Sequence, residues 1–129
     1  MNEVEKFLEK ADATLEDAEK AYREEMLIST VQNRIYYSLY YAAQAALISL
    51  GHDVGTHKGV KVKIGEEMVL KDLLDKEWGR FYAQQQTYRE QADYQVDVDI
   101  ERTDLEEFLE DAKTFIQEMK RIADLNKSD

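Results

Sequence analysis

Residues 33–50 (NRIYYSLYYAAQAALISL) carry one charged side chain, Arg34, in a chain whose formal net charge is −11. A surface helix shows one apolar stripe, whereas a helix apolar on most sides has to be covered on most sides. This stretch therefore requires other elements to wrap around it, and it reads as the central helix of a helical bundle. At 100° per residue, Asn33, Tyr37, Tyr40, Gln44 and Leu47 fall in one stripe, and Ser38, Ala42, Ala45, Ala46 and Ser49 gather opposite. Small residues let a neighbouring backbone come close; tyrosines bring large area with a polar tip. A packed core helix with tyrosine hydroxyls at its rim is the first reading, and a ligand-facing tyrosine stripe the second.

The punctuation of the chain supports an all-α fold. Proline is absent, and four of the five glycines (Gly51, Gly55, Gly59 and Gly65, with Gly79 apart) fall between positions 51 and 65. Outside that window the sequence is free to run as long helices. Val4, Phe7, Leu8, Ala11, Leu15, Ala18 and Tyr22 recur at helical spacing, predicting a first helix over residues 3–26. The second runs from 27 or 29 to 50, with Gly51 as its C-terminal stop. A third is expected over 58–70 and a fourth from 71 or 75 to 93. The fourth has Leu74, Phe81, Tyr88 and Ala92 as its core stripe; Trp78, Tyr82, Gln85, Arg89 and Asp93 lie on a neighbouring face. Residues 94–102 alternate Val96, Val98 and Ile100 with polar residues, but one strand has no partner here, so an extended connector is expected. The last helix opens on Thr103 and Glu106 as a capping box and buries Leu105, Phe108, Leu109, Ala112, Ile116, Met119 and Ala123. Residues 126–129 read as a frayed tail. The expected architecture is a five-helix up-and-down bundle.

A length of 129 residues fits one domain, 1–129. Without cysteine, neither a disulfide framework nor a thiolate metal site is available. Asn33, Arg34 and Gln44 interrupt the longest apolar stretch, so no membrane span is expected. Residues 2–6 lack the basic-then-apolar pattern of a secretory signal, and a cytoplasmic protein is expected. Nucleic-acid affinity rests on phosphate neutralisation by Lys and Arg, so an overall field of this sign repels RNA except at a local basic patch. The acid first of all keeps a small protein in solution; a basic protein partner also fits.

Chemistry-bearing residues are few. The two histidines, His52 and His57, lie in or beside the glycine-rich loop, with Asp53 as the one further ligand nearby, so neither metal nor cofactor is expected. Residues 51–59 are not a Walker loop, because no Ser or Thr follows the lysine in the required frame. Arg89 and Asp93 are four apart on one helix face. An ion pair of that spacing is worth a few tenths of a kcal/mol. The alternative makes Arg89 a phosphate clamp, its planar fork matching phosphate oxygens.

Three blocks together carry a resemblance to a known family. These are residues 33–47 in the second helix, Thr56-His57-Lys58-Gly59-Val60 in the loop, and Arg89-Glu90-Gln91-Ala92-Asp93-Tyr94 closing the fourth helix. In this order and at these distances they resemble the HEPN domain, a small all-helical family. The loop and the Arg-x-x-Ala-Asp-Tyr block are similar to a largely uncharacterised prokaryotic branch of it. The resemblance implies a homodimer through the central helices and a minimal nucleotidyltransferase as partner in a toxin–antitoxin pair. It also implies a role for nucleotide or RNA. Catalytic members of the family are metal-independent RNases with an arginine, four to six intervening residues and a histidine. Here the histidine positions after Arg89 hold Tyr94, Gln95 and Val96, so that motif is incomplete. The resemblance thus points first to a non-enzymatic or weakly active partner protein holding nucleotide or RNA phosphate through Arg89, His57 and Lys58. The second reading is an RNase toxin with Arg89, Asp93 and Tyr94 as catalytic candidates and His57 as a replacement imidazole. The third is a structural module in which Arg89 and Asp93 merely pair.

Overall fold

The computed structural model describes residues 1–95 and 98–125, and among them every regular element is helical. In chain order these are α1 (Glu3–Arg23), α2 (Ile28–Ser49), α3 (His57–Ile64) with a π-helical turn at Gly65–Val69, α4 (Lys76–Tyr94) and α5 (Arg102–Leu125). The expected five-helix bundle is what forms, and α2 is its centre, packed on α1, α5, α4 and α3.

Local chemistry sets the ends of α1 and α2. The Asn2 side chain accepts the Glu5 N–H at 2.8 Å, supplying an orphan donor of the first turn of α1. Gly51 sits at φ +90, a left-handed conformation that suits glycine. There its N–H donates to Ile48 and the His52 N–H to Leu47, at 3.0 and 2.8 Å. These two hydrogen bonds close α2 in a Schellman motif and turn the chain back sharply.

The small-residue face of α2 is fully enclosed: Ser38, Ala42, Ala45 and Ala46 have no exposed surface. Around it α1 contributes Ala11, Leu15, Ala18 and Ala21, and α5 contributes Leu105, Leu109, Ala112, Phe115, Ile116, Met119 and Ile122. Alanine against alanine shortens the distance between helix axes, while α5 fills the remaining volume with large side chains. Burial of each large apolar side chain supplies about 1.5–3 kcal/mol.

Three expectations are corrected. The third helix does not run through 58–70; regular α-helix ends at Ile64, and Gly65–Val69 widens into a π turn closed by Leu70 N–H on the Gly65 carbonyl at 2.9 Å. The buried face of α4 is rotated from the expected stripe. Phe81 and Leu74 are buried as expected, Leu74 from the loop before the helix, but Tyr88 and Ala92 are half-buried, while Tyr82 and Gln85 of the neighbouring face are fully enclosed. On this inward side Gln32 of α2 donates through Nε2 to the Gln85 backbone carbonyl at 2.8 Å and to the Gln85 side-chain Oε1 at 3.2 Å. Finally, α5 begins at Arg102, which places Thr103 inside its first turn. The carboxylate that reaches back is Asp104, accepting the Glu101 N–H at 2.9 Å, in place of Glu106. Val98 is half-buried and Ile100 buried in the connector. Val96 and the expected frayed tail at 126–129 lie outside the described residues.

Candidate functional site

The tyrosine face of α2, the start of α3 and the last turns of α4 converge on Tyr36. Its ring is fully enclosed, and its hydroxyl lies 2.7 Å from His57 Nδ1 and 3.4 Å from the Tyr82 hydroxyl. The His57 ring stacks on Tyr40 (centroids 4.4 Å apart, planes at 25°) and meets Tyr37 edge-on at 5.7 Å. From α4, the Arg89 guanidinium carbon stands 5.2 Å from the Tyr36 ring centroid, a cation–π arrangement.

His57 reaches this position because of the loop before it. It is the first residue of α3, whose N-cap is Thr56; the Thr56 hydroxyl accepts the Gly59 N–H at 3.0 Å. A Cβ at Gly59 would lie 2.5 Å from Val54 Cγ1 and 2.6 Å from Thr56 Oγ1, so the threonine folds over the turn because residue 59 is glycine. Gln44 of α2 donates to the Val54 carbonyl at 3.3 Å and tethers the loop to the same helix that carries the tyrosines. The Thr-His-Lys-Gly block is thus a device for holding an imidazole against α2.

Arg89 does form the expected ion pair, Nη1 to Asp93 at 3.3 Å. The two partners are nevertheless unlike: the Arg89 side chain is 17% exposed and the Asp93 side chain 55%. Arg89 Nε is enclosed and has no hydrogen-bond partner among the described residues. A pair held only for surface stability leaves its cation in water; this cation is drawn in over an aromatic ring. Beside it, Ser29, Thr30, Gln32 and Asn33 of α2 and Arg89, Ala92 and Asp93 of α4 line a surface hollow of about 300 Å³. A second cation, Arg34, lies 5.3 Å from the Tyr37 centroid and donates twice to the Asn33 side-chain oxygen Oδ1, at 2.7 and 3.1 Å.

The electrostatics follow from this crowding. Burial pushes the Tyr36 phenol up to about 12; the Tyr82 hydrogen bond and the Arg89 cation pull it back in part. Burial also raises Tyr82 and Tyr40 above the ordinary phenol value. His57 is lowered, by burial first and by the Arg89 cation second, with Glu90 acting the other way. Near neutral pH the group against Tyr36 is a neutral imidazole, and the fixed positive charge of the site is arginine.

The sequence-derived candidates therefore separate. Arg89 and His57, from different elements, both bear on Tyr36. Asp93 pairs with Arg89 at the rim. Lys58 is exposed in the first turn of α3, and Tyr94, at the end of α4, is 88% exposed and takes no part in the aromatic cluster. The other histidine turns elsewhere, His52 Nε2 lying 3.3 Å from Glu67 of the π turn. Among the described residues no three His, Cys, Asp or Glu side chains converge as a metal set, and no helix is long and apolar enough to cross a membrane. Tyr36 and Tyr82 went unmarked as site residues in the sequence, and Tyr40 entered only through the second reading of the tyrosine stripe. The available signal was the i,i+4 spacing of Tyr36 and Tyr40, which puts two rings on one side of α2.

The chain belongs to the HEPN family: residues 4–122 match the HEPN domain. It is similar to a "UPF0332 protein" of Thermotoga maritima, 33% identical over 133 residues that cover 99% of this chain and 100% of that one. It is also similar to "Putative toxin MJ0142" of Methanocaldococcus jannaschii, 31% identical over 119 residues, covering 92% of this chain and 80% of the other. A "UPF0332 protein" of Archaeoglobus fulgidus is 29% identical over 130 residues, 98% of this chain and 100% of that one.

Proposed function

We propose that this chain is the HEPN component of a toxin–antitoxin-type pair and that it binds a phosphate of nucleotide or RNA between Arg89 and His57. The observation that carries the reading is the inward-drawn Arg89 guanidinium, stacked over the same tyrosine that holds His57. A guanidinium and an imidazole on one tyrosine are the groups that recognise a phosphate oxyanion, and the part-exposed Arg89 side chain presents its charge there. Lys58, exposed on the adjoining turn, adds positive charge at the approach. The name carried by the Methanocaldococcus relative supports the toxin setting. In this reading the protein works as a single domain, as a homodimer in the cytoplasm, with a minimal nucleotidyltransferase as its partner.

The experiment is a titration of fluorescently labelled oligoribonucleotide and of ATP into the wild type and Arg89→Ala. Loss of a charged hydrogen-bonding group predicts about tenfold or greater weakening in the variant. Equal affinity of the two proteins would remove Arg89 from the site. Co-expression with a nucleotidyltransferase encoded next to it tests the partner: the reading expects a complex that survives gel filtration, and separate elution counts against it.

A second reading, a metal-independent RNase, gains support from His57. The sequence lacks the histidine that normally follows the arginine, yet folding supplies an imidazole beside it from another element. Cleavage of RNA in the presence of chelator, abolished by Arg89→Ala and His57→Gln alike, is its signature.

A further inference from the structure

Tyr82 is fully enclosed, and among the described residues its hydroxyl has one hydrogen-bond partner, the Tyr36 oxygen at 3.4 Å. Leaving a buried O–H undonated costs the desolvation of that group, so the Tyr82 proton points at Tyr36, its one partner among the described residues. The Tyr36 oxygen then has its own proton left to give, and the acceptor within reach is His57 Nδ1 at 2.7 Å. Running the chain the other way, from a protonated Nδ1 to Tyr36 and on to Tyr82, would leave the Tyr82 proton enclosed with no acceptor. No hydrogen bond engages His57 Nε2 among the described residues, and the His57 side chain as a whole is half-buried. The stack on Tyr40 fixes the plane of the ring in which Nε2 lies.

We propose that Tyr36, backed by Tyr82, is a positioning residue that locks His57 with its proton on Nε2, so that His57 meets a phosphate as a neutral N–H donor beside the Arg89 cation. The inference rests on the phosphate-site reading for its ligand and on the hydroxyl chain for its tautomer. It assigns the two groups different work. Arg89 supplies charge; His57 supplies a directed hydrogen bond and, in this tautomer, is not a base at Nε2. The lowered protonation of His57 agrees with an unprotonated Nδ1 facing a phenol. Tyr36 also sits under the Arg89 guanidinium, so one ring orients both groups.

The test is nitrogen NMR of the histidines in the labelled full chain, at about pH 7.5, above the ordinary imidazole range. Wild-type His57 is expected to show an N–H at Nε2 and an unprotonated, hydrogen-bonded Nδ1. In Tyr36→Phe, which removes one oxygen, the ring should relax toward a mixture of tautomers, and Tyr82→Phe should shift it part of the way. His52, held by Glu67 instead, should not move in either variant. A wild-type proton on Nδ1, or a Tyr36→Phe spectrum like the wild type, overturns the proposal, and the wild-type spectrum decides this even if a variant fails to fold. ATP and a short oligouridylate serve as ligand probes, separating free nucleotide from RNA. Tyr36→Phe should weaken whichever binds by about fivefold, the equivalent of one ordinary hydrogen bond. If the wild type binds neither probe while the Nε2 proton is found, the phosphate reading falls and the tautomer assignment stands.

Discussion

The two faces of α2 do opposite work with the same backbone. On one, Ser38, Ala42, Ala45 and Ala46 are fully enclosed, and the Ser38 hydroxyl turns back onto the Ile35 carbonyl at 2.6 Å. On the other, Tyr36, Tyr37, Tyr40 and Tyr41 bring rings and hydroxyls, and cations gather around them: Arg89 over Tyr36, Arg34 over Tyr37 and Lys10 over Tyr41. The alanine face achieves stability by closeness and leaves nothing for a ligand to address. The tyrosine face accepts hydrogen-bonding and electrostatic demands that a pure packing surface avoids, including an enclosed Arg89 Nε without a partner. Enclosed polar atoms without a partner among the described residues also occur at Gln32 Oε1 and Gln85 Nε2, so what sets the tyrosine face apart is its gathering of rings and cations.

The comparison can be broken first where the expected effect is largest. Ala46→Leu inserts three carbons at a position with no exposed surface and should destabilise the fold by about 1–3 kcal/mol or more in a denaturant titration. A wild-type midpoint would mean that close approach is not what this face provides. Gly59→Ala sharpens the other side. Its added Cβ meets Val54 and Thr56, so the Thr56 cap should open at a cost of about 1 kcal/mol. Because His57 begins that helix, ligand affinity should fall as well, whereas Ala46→Leu acts through stability alone.

Acidification separates the faces without mutation. His57 is lowered in the fold relative to its unfolded value, so the unfolded chain takes up its proton first. Its contribution to stability is full above about pH 6.5 and is lost as pH falls through the folded value. Melting temperature should therefore drop on acidification below about pH 6.5, and less so in His57→Gln; parallel curves for the two proteins would contradict the buried neutral imidazole. The smallest effect is expected at the rim. Asp93→Asn removes one partner of an i,i+4 pair whose carboxylate is mostly exposed, and should change stability by about 0.5 kcal/mol or less. A loss well beyond that would make the ion pair, and not the stack on Tyr36, the reason Arg89 is held.

Much of the fold was legible because α1, α2 and α5 obey the 3.6-residue period with little ambiguity. The buried residues of α5 are largely those marked by spacing, with Phe115 and Ile122 joining. By contrast α1 adds Thr14 and Ala21, and α2 also buries Val31, Gln32, Ile35, Tyr36, Leu39 and Ala43, which neither marked stripe contains. The buried face of α4 was legible only in Leu74 and Phe81, since Gln85 reads as polar until Gln32 arrives from another helix to donate to its Oε1. The π turn at Gly65–Val69 has no local signature. The start of α5 was misplaced because two acid-bearing frames compete, and Asp104 won over Glu106. At the site, Arg89 was marked by residue type and His57 by the glycines around it. Their common partner Tyr36 was hidden, because it is separated from His57 by 21 residues and from Tyr82 by 46, and neither distance leaves a periodic trace.

The claim that Arg89 and His57 form one phosphate site is tested most directly by a double-mutant cycle. Affinities of the wild type, Arg89→Ala, His57→Gln and the double variant for a labelled oligouridylate give the coupling between the two groups. Groups acting on one ligand atom cluster should be non-additive by about 1 kcal/mol, the double variant binding tighter than the summed single losses predict. Strict additivity, or a His57→Gln variant that binds as the wild type does, would contradict a shared site.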